Sequence, residues 1–225
     1  MKQLLLVFFC FFLLLSCKNN SSEKPLSTSK SGLKNDVAVK VASAHGFDEF
    51  NEVKQLDFTF NVMVNDTLRS SRSWKWFPQE KRAELTENGK TSSYTNDGEL
   101  DESESAIDQK LINDTYWLLF PFQLEWSDYV SEYTDSTSAP ISGDPLQQLS
   151  IKYEGDAGYT PGDTYHIYFG DDNILQEWTY VSSNGRILST TWEDYENFEG
   201  IKIAKMHKSE DGSFQLFFTN IKVTK

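Results

Sequence analysis

The sequence predicts an α+β fold, mostly β, in which helices cover the apolar face of an antiparallel sheet. The stretch QLDFTFNVMV (55–64) alternates strictly between apolar and polar residues, which is typical of a half-buried strand. Short runs of similar character follow, separated by turn signals such as Asn88-Gly89. Apolar residues at helical spacing occur in only two segments, 36–50 and 102–120.

The first element is a helix within DVAVKVASAHGFDEF (36–50). Its start signal is Asn35-Asp36, and Gly46 is expected to weaken or end it. The apolar positions at helical spacing are Val37, Val41, Ala44 and Phe47.

The strands form a meander with closely spaced turns. Besides 55–64, we predict strands over 71–77, 82–87, 149–153, 164–169, 174–181, 186–192, 200–207 and 214–223. Such a meander makes an antiparallel sheet, and its apolar face requires a cover.

The second helical segment leads into YWLLFPFQLEW (116–126). Residues 102–120 have helical spacing, and Asn113 or Asp114 can cap a short helix over the last turns. Pro121 disfavours helix in the residue before it, so we predict a helix end near Phe120 and an extended strip afterwards. The extended strip would carry its apolar side chains at alternate positions: Phe122, Leu124 and Trp126. Because the stretch is apolar on nearly all sides, we expect it to lie inside the concave face of the sheet.

The N-terminus has the pattern of a secretory signal. Lys2 is followed by an apolar run, 4–15, that is too short to span a bilayer, and then by Ser16 and Cys17. The residues LLSC resemble the lipobox of bacterial lipoproteins, which implies a signal peptide over 1–17 and lipidation of Cys17. The alternative is an ordinary signal peptide with an incidental cysteine.

Composition bounds the remaining chain. Residues 18–35 are polar and predict a disordered tether, and residues 36–225 predict a single domain without cysteine. The formal net charge of -13 disfavours nucleic acid and anionic lipid surfaces as partners. We therefore expect membrane attachment through the lipid anchor, since two or more acyl chains suffice for stable anchoring.

The residues provide no catalytic constellation. His45, His166 and His207 are isolated in sequence, so we expect no metal and no cofactor. The chain contains no Gly-x-Ser-x-Gly motif of a serine hydrolase. Two acidic pairs have the residue types of glycosidase carboxylates, although turn chemistry and a solvated strand end explain them more simply: Asp171-Asp172 and Glu193-Asp194. We predict that the protein is not an enzyme.

Several motifs together resemble a known group of proteins. They are AHG (44–46), NDTYWLLFPFQLEW (113–126), GYTPGDTYHIYF (158–169), EWTY (177–180) and TTWEDYENFEGIKI (190–203). These residues resemble a family of uncharacterised lipoproteins of diderm bacteria, which is similar to the LolA/LolB superfamily of lipoprotein carriers and receptors. The resemblance implies a strongly curved antiparallel half-barrel with helices covering its open concave side. In the carriers the enclosed cavity holds acyl chains. LolA itself is a soluble periplasmic protein, whereas this chain has a lipid signal, as LolB does.

We predict that apolar side chains line or plug the open side of the half-barrel. The predicted ligand-binding residues are Trp117, Leu118, Phe120, Phe122 and Trp126, together with Trp74 and Trp76. Pairs such as Trp74 and Trp76, or Trp178 and Tyr180, share a strand face and could stack sugar rings or simply pack the sheet.

Two functions follow as hypotheses. The first is a lipid-anchored carrier or receptor for a lipid, acyl chain or lipoprotein. The second is a binding or scaffolding lipoprotein for a glycan or protein, whose cavity is filled core. The expected location is the cell envelope of a diderm bacterium, at the outer membrane and facing the periplasm.

Overall fold

The computed structural model describes residues 28–29, 36–153 and 162–225. The predicted signal peptide, Cys17 and most of the predicted tether lie outside these residues. Residues 158–161 of the GYTPGD motif also lie outside them. The proposed boundaries at residues 17 and 35 therefore stay predictions.

The described residues form two α-helices and thirteen strands. The helices are α1 (Asp36–Ala44) and α2 (Glu102–Trp126), and 3-10 turns cover Phe47–Glu52 and Pro78–Glu80. The strands are β1 (Thr28–Ser29), β2 (Gln55–Val64), β3 (Thr67–Phe77), β4 (Arg82–Glu87), β5 (Lys90–Thr95), β6 (Val130–Ser138), β7 (Pro145–Lys152), β8 (Thr164–Phe169), β9 (Leu175–Val181), β10 (Ile187–Thr191), β11 (Glu193–Phe198), β12 (Ile201–Lys208) and β13 (Phe214–Thr224).

The strands form two antiparallel sheets that meet at one corner. One sheet has the order β11-β12-β13-β2-β3-β4-β5, and the other has the order β1-β6-β7-β8-β9-β10. Only Trp192 separates β10 from β11, so the chain passes directly from one sheet to the other. Among the described residues, no strand pairing closes the arrangement into a barrel. The predicted half-barrel fold is thereby confirmed.

Helix α2 lies between the two sheets and contributes to the core on both sides. Leu118 and Phe122 belong to the apolar cluster of the seven-stranded sheet. Tyr116, Phe120 and Leu124 belong to the cluster of the six-stranded sheet, together with residues of α1. This alternation explains why the YWLLFPFQLEW stretch is apolar on nearly all sides.

The predicted break of α2 near Phe120 is present as a kink, but the extended strip predicted after Pro121 is wrong. The backbone leaves helical geometry only at Leu119 (φ -131°, ψ 32°), two residues before Pro121, and the helix then continues to Trp126. Proline clashes with the preceding turn, which accounts for the kink, but it is tolerated in the first turn of a helix, so the second half can resume. Phe122 and Trp126 consequently share a helix face, with ring centroids 5.7 Å apart.

The start of α2 also differs from the predicted capping at Asn113 or Asp114. Asp101 is the N-cap: its carboxylate accepts a hydrogen bond from the Glu104 N–H at 2.9 Å. The Glu104 carboxylate accepts from the Asp101 N–H in return, which completes a capping box. Asp114 lies inside the helix and is fully buried.

Strands with alternating residues were predicted more accurately than polar ones. The predicted ranges 55–64, 82–87 and 164–169 match β2, β4 and β8 residue for residue. The prediction missed β5, β6 and β11. β5 and β11 are the edges of the seven-stranded sheet, and β6 borders only the two-residue β1 on one side. Such strands bury little apolar surface, so their sequences need not alternate.

The first helix ends as predicted, and its last residues connect three elements. Gly46 has φ 89°, a left-handed conformation that glycine adopts without strain. His45 is buried; its Nδ1 donates to the Val41 carbonyl at 2.7 Å, and its Nε2 accepts from the Leu175 N–H at 3.3 Å. The Lys202 N–H donates to the His45 carbonyl at 2.9 Å. The AHG motif therefore fixes α1 to both sheets.

Candidate functional site

A cleft of 390 Å³ lies between the two sheets beside the first half of α2. We call it the intersheet cleft. Its volume lies in the range of about 300 to 1,000 Å³ that is common for small-molecule sites. The apolar residues of its wall are Phe60, Val62, Tyr116, Trp117, Tyr165, Trp178, Tyr180, Leu188, Phe214 and Leu216.

Other clefts of similar size have more polar walls. One of 500 Å³ lies between β4, β5 and α2, and its wall mixes charges of both signs, including Lys81, Asp97 and Asp108. Those of 350 and 460 Å³ lie on polar strand faces of β3 and β4. The intersheet cleft is distinguished by buried aromatic side chains that come from both sheets.

The floor of the intersheet cleft is a continuous group of rings. Trp178 is central: its ring centroid lies 4.6 Å from that of Trp117, 5.1 Å from Phe120 and 5.4 Å from Tyr165. Trp178 and Tyr165 are buried, whereas Trp117 is half-buried and faces the cleft. An aliphatic ligand could rest on this floor without displacing charged groups.

Three arginines stand on the wall of the same cleft: Arg69 and Arg72 from β3, and Arg186 from the turn before β10. The whole chain contains only four arginines. Within residues 36–153 and 162–225, no aspartate or glutamate lines this cleft. Its rim is therefore basic on a molecule whose formal net charge is -13.

Arg72 is held in place by a buried carboxylate. Its Nε and one terminal nitrogen donate to the two oxygens of Asp114, at 2.8 and 2.5 Å. The Trp74 indole N–H also donates to Asp114 at 2.8 Å, and the Asn113 amide donates at 3.0 Å. Burial raises the pKa of Asp114 above its ordinary value, and the hydrogen bonds and charge of Arg72 oppose that rise. The guanidinium also lies 4.5 Å above the Phe60 ring.

Behind the cleft floor lies a buried histidine. The His207 ring is 5.5 Å from Trp117 and 4.4 Å from Trp192. Neither ring nitrogen has a hydrogen-bond partner of ordinary geometry among the described residues, and the same holds for the indole nitrogens of Trp178 and Trp192. Burial lowers the pKa of His207 to about 3, with a small opposing effect from the nearby Thr191 backbone. This histidine is neutral at physiological pH.

The structure separates the predicted ligand-binding residues. Trp117 lines the intersheet cleft. Leu118 and Phe122 lie in the core under the seven-stranded sheet, and Phe120 lies in the core on the other side of α2; each is at most 1% exposed. Their role in ligand binding stays a prediction.

The other three predicted residues are tryptophans outside the intersheet cleft. Trp74 is buried and donates to Asp114. Trp76 is half-buried and lines the 500 Å³ cleft. Trp126 is 41% exposed at the end of α2 and contacts Phe47, Phe50 and Phe122.

Two further properties concern the described residues. In 36–153 and 162–225, no three His, Cys, Asp or Glu side chains are grouped as metal ligands would be. Within these ranges, neither helix has both the length and the apolar character that are needed to cross a bilayer.

Sequence reasoning missed the arginines and Asp114. One signal was available: Asp114 lies between Ile112 and the apolar run of α2, and a buried carboxylate in such a position requires a cationic or hydrogen-bonding partner. No local pattern indicated that Arg69 and Arg186 would share a cleft.

The fold and this cleft define a half-barrel with an apolar, basic-rimmed cavity. No family model matches the chain, and no curated protein matches it significantly. Solved structures with a similar fold include a DUF1329 family protein from Desulfovibrio piger, with 10% identity and a TM-score of 0.47, covering 84% of this chain and 90% of that protein.

A LolA superfamily protein from Nitrosomonas europaea is also similar. It has 10% identity and a TM-score of 0.42, and the match covers 84% of this chain and 94% of that protein. It bears the superfamily name that the sequence motifs resemble. At such identity the likeness concerns the fold alone and assigns no ligand or activity to this chain.

Proposed function

We propose that this protein binds an apolar ligand, a lipid or an acyl chain, in the intersheet cleft. It acts as a lipid-anchored carrier or receptor in the cell envelope, at the outer membrane facing the periplasm. The observation that carries the proposal is the aromatic floor, which Trp117, Tyr165 and Trp178 form at the open junction of two sheets.

The energetics favour an aliphatic chain. Each methylene group that leaves water contributes about 0.8 kcal/mol. A site that works by burial needs no acid, base or metal, which agrees with the sequence. Release of the ligand then requires only a competing apolar surface.

A second function is supported by a different observation. Leu118, Phe120 and Phe122 are at most 1% exposed, so this part of α2 is well-packed core. If the intersheet cleft is only a surface irregularity above that core, the protein is a scaffolding or binding lipoprotein for a glycan or protein. The exposed Trp126 would then be a natural contact.

Thermal unfolding with acyl ligands separates the two functions. A ligand that binds the folded state at 100 times its Kd stabilises by about 2.7 kcal/mol, so the midpoint of the wild type should rise. We expect Trp117→Ala to weaken binding, because Trp117 lines the cleft. Phe122→Ala should lose about 3 to 5 kcal/mol of stability while keeping its ligand affinity, because Phe122 lies on the other side of α2.

Trp126→Ala is the matched control, since Trp126 is an exposed tryptophan of the same helix outside the cleft. It should retain the full ligand-induced shift. A panel of acyl ligands that leaves the wild-type midpoint unchanged would contradict the proposal and favour the scaffolding function.

A further inference from the structure

The arginines are distributed unevenly over the molecule. Three of the four in the chain line one cleft, although β3 and the turn before β10 are more than 100 residues apart in sequence. The fourth, Arg82, lies on β4 and pairs with Glu80 and Glu84. Of the acidic residues that the structure describes, none lines this cleft.

The three cleft arginines differ in their partners. Arg72 is neutralised by Asp114 through two hydrogen bonds. Arg69 and Arg186 form no ion pair with any residue that the structure describes, and both are exposed at the rim. Among the residues that the structure describes, these two positive charges beside the apolar floor therefore have no ion-pair partner.

Neither feature alone specifies a ligand, but together they define one chemical class. A purely apolar ligand would leave the two guanidinium groups without a role, and a small free anion would leave the aromatic floor unused. Guanidinium groups bind carboxylate and phosphate in a planar, two-point geometry.

We propose that the intersheet cleft binds an anionic amphiphile, in which an aliphatic chain ends in a carboxylate or a phosphate. The chain lies against Trp117, Tyr165 and Trp178, and the acidic group lies at the rim between Arg69 and Arg186. This inference rests on the proposed function and specifies the ligand class for the same cleft. Arg72 is a positioning residue, since its charge is already used by Asp114.

A set of ligands with one chain length tests the inference. Binding is followed by tryptophan fluorescence or calorimetry, with tetradecanoic acid, tetradecyl phosphate, tetradecanol, tetradecyltrimethylammonium and inorganic phosphate as probes. We expect the two acidic amphiphiles to bind wild type more tightly than the alcohol, and the cationic amphiphile to bind most weakly. Added salt should reduce this preference, because the arginines are exposed.

Substitutions of the arginines test which side chains cause the preference for acidic ligands. Arg69→Gln and Arg186→Gln should each weaken acid binding by about three- to tenfold, because a charged hydrogen bond at an exposed position contributes less than a buried one. The double variant should bind the acid and the alcohol equally, with unchanged affinity for the alcohol. Arg82→Gln makes the same chemical change outside the cleft and should leave the preference for acids intact.

The outcomes separate the inference from the proposed function. If the alcohol and the acids bind wild type equally, the inference is wrong and the apolar site remains. If inorganic phosphate binds as tightly as tetradecyl phosphate, the inference that the ligand is an amphiphile is wrong, and the cleft is a simple anion site. If no tetradecyl compound binds, both the inference and the proposed function fail.

Discussion

His45 and His207 are both buried, but they differ in their hydrogen bonds. His45 uses both ring nitrogens in hydrogen bonds to the Val41 carbonyl and the Leu175 N–H. His207 is equally buried, and apart from a contact with the Thr191 backbone its nitrogens have no hydrogen-bond partner of ordinary geometry among the described residues. Burial lowers the pKa of His45 to about 4 and that of His207 to about 3. The energetic consequences of replacing them should therefore differ.

We predict that His207→Phe is neutral or stabilising at pH 7. An aromatic ring of similar shape keeps the contacts with Trp117 and Trp192, and it removes two buried polar atoms that have no well-aligned hydrogen bond to a described residue. His45→Phe should lose about 1 to 3 kcal/mol, because the Leu175 N–H and the Val41 carbonyl would lose their partner. Urea unfolding of both variants measures these values. A loss for His207→Phe as large as that for His45→Phe would reveal a hydrogen bond or bound molecule at His207.

The same histidines predict a pH dependence. Because their folded-state pKa values lie below the unfolded value of 6.5, the unfolded chain binds more protons as the pH falls below 6.5. Stability is therefore retained above pH 6.5 and lost between 6.5 and about 4, by about 1.4 kcal/mol per pH unit for each histidine. Urea unfolding from pH 7 to 5 should show this slope. In His207→Phe the slope should be smaller by the contribution of one histidine, about 1.4 kcal/mol per pH unit. An unchanged slope in that variant would contradict the assignment.

A third residue-scale prediction concerns Asp114. In Asp114→Asn, the guanidinium of Arg72, whose side chain is only 14% exposed, loses its counter-charge. We expect a loss of about 3 kcal/mol in the free energy of unfolding. The double variant Asp114→Leu with Arg72→Leu should lose less stability than the sum of the losses in Asp114→Leu and Arg72→Leu, because it leaves no unpaired charge. Strict additivity in this double-mutant cycle would show that the two side chains are not coupled.

At the scale of elements, the turn after α1 has a strict requirement for glycine at position 46. A Cβ on Gly46 would lie 2.1 Å from the Gly200 carbonyl oxygen, and the backbone has φ 89°. The turn therefore needs glycine for two independent reasons, conformation and close approach. This places the AHG motif against the strand start at Ile201 and holds α1 in register with β12.

Substitution tests this requirement. Gly46→Ala should lose more than about 3 kcal/mol, since the left-handed backbone alone costs alanine about 1 to 2 kcal/mol and the contact with Gly200 adds to it. Gly89→Ala is the control, because its φ is 74° and its added Cβ would meet nothing within 4 Å. It should lose only the conformational part. Chemical unfolding of both variants measures the difference, and equal losses would mean that the Gly200 contact relaxes without cost.

At the scale of the whole molecule, charge and anchoring are linked. The formal net charge of -13 for the whole chain disfavours binding to anionic headgroups, so we expect the surface of the domain not to attach the protein to a membrane. Attachment is assigned to the acyl chains that the lipobox predicts at Cys17. The basic rim of the intersheet cleft is a local exception, at the place where we propose that the ligand binds.

We predict that Cys17→Ala releases the protein from membranes. Cys10→Ala is the matched control, because Cys10 lies within the predicted signal peptide and should leave attachment unchanged. Membrane fractionation follows release, and intact mass of the wild type should show a diacylglyceryl adduct on Cys17. Tight attachment of Cys17→Ala would contradict the lipoprotein assignment.

The sequence by itself determined the features that depend on local chemistry. Alternation with a period of two predicted β2, β4 and β8 residue for residue, because a half-buried strand requires it. Helical spacing and Gly46 predicted the first helix and its end. Pro121 predicted a break in the second helix, because its ring restricts the preceding turn.

Only the tertiary structure decided which residues from distant segments contact each other. It decided that α2 continues past Pro121, because both sheets offer Phe122 and Leu124 a core in which to pack. It also decided that Arg69 and Arg186 share one rim, although neither has a sequence pattern that marks it. Local patterns express propensity and burial, whereas a cleft is formed by residues that meet only when two sheets join. The half-barrel was predicted because the sequence motifs resemble a known superfamily, whereas no motif indicated the basic rim of its cleft.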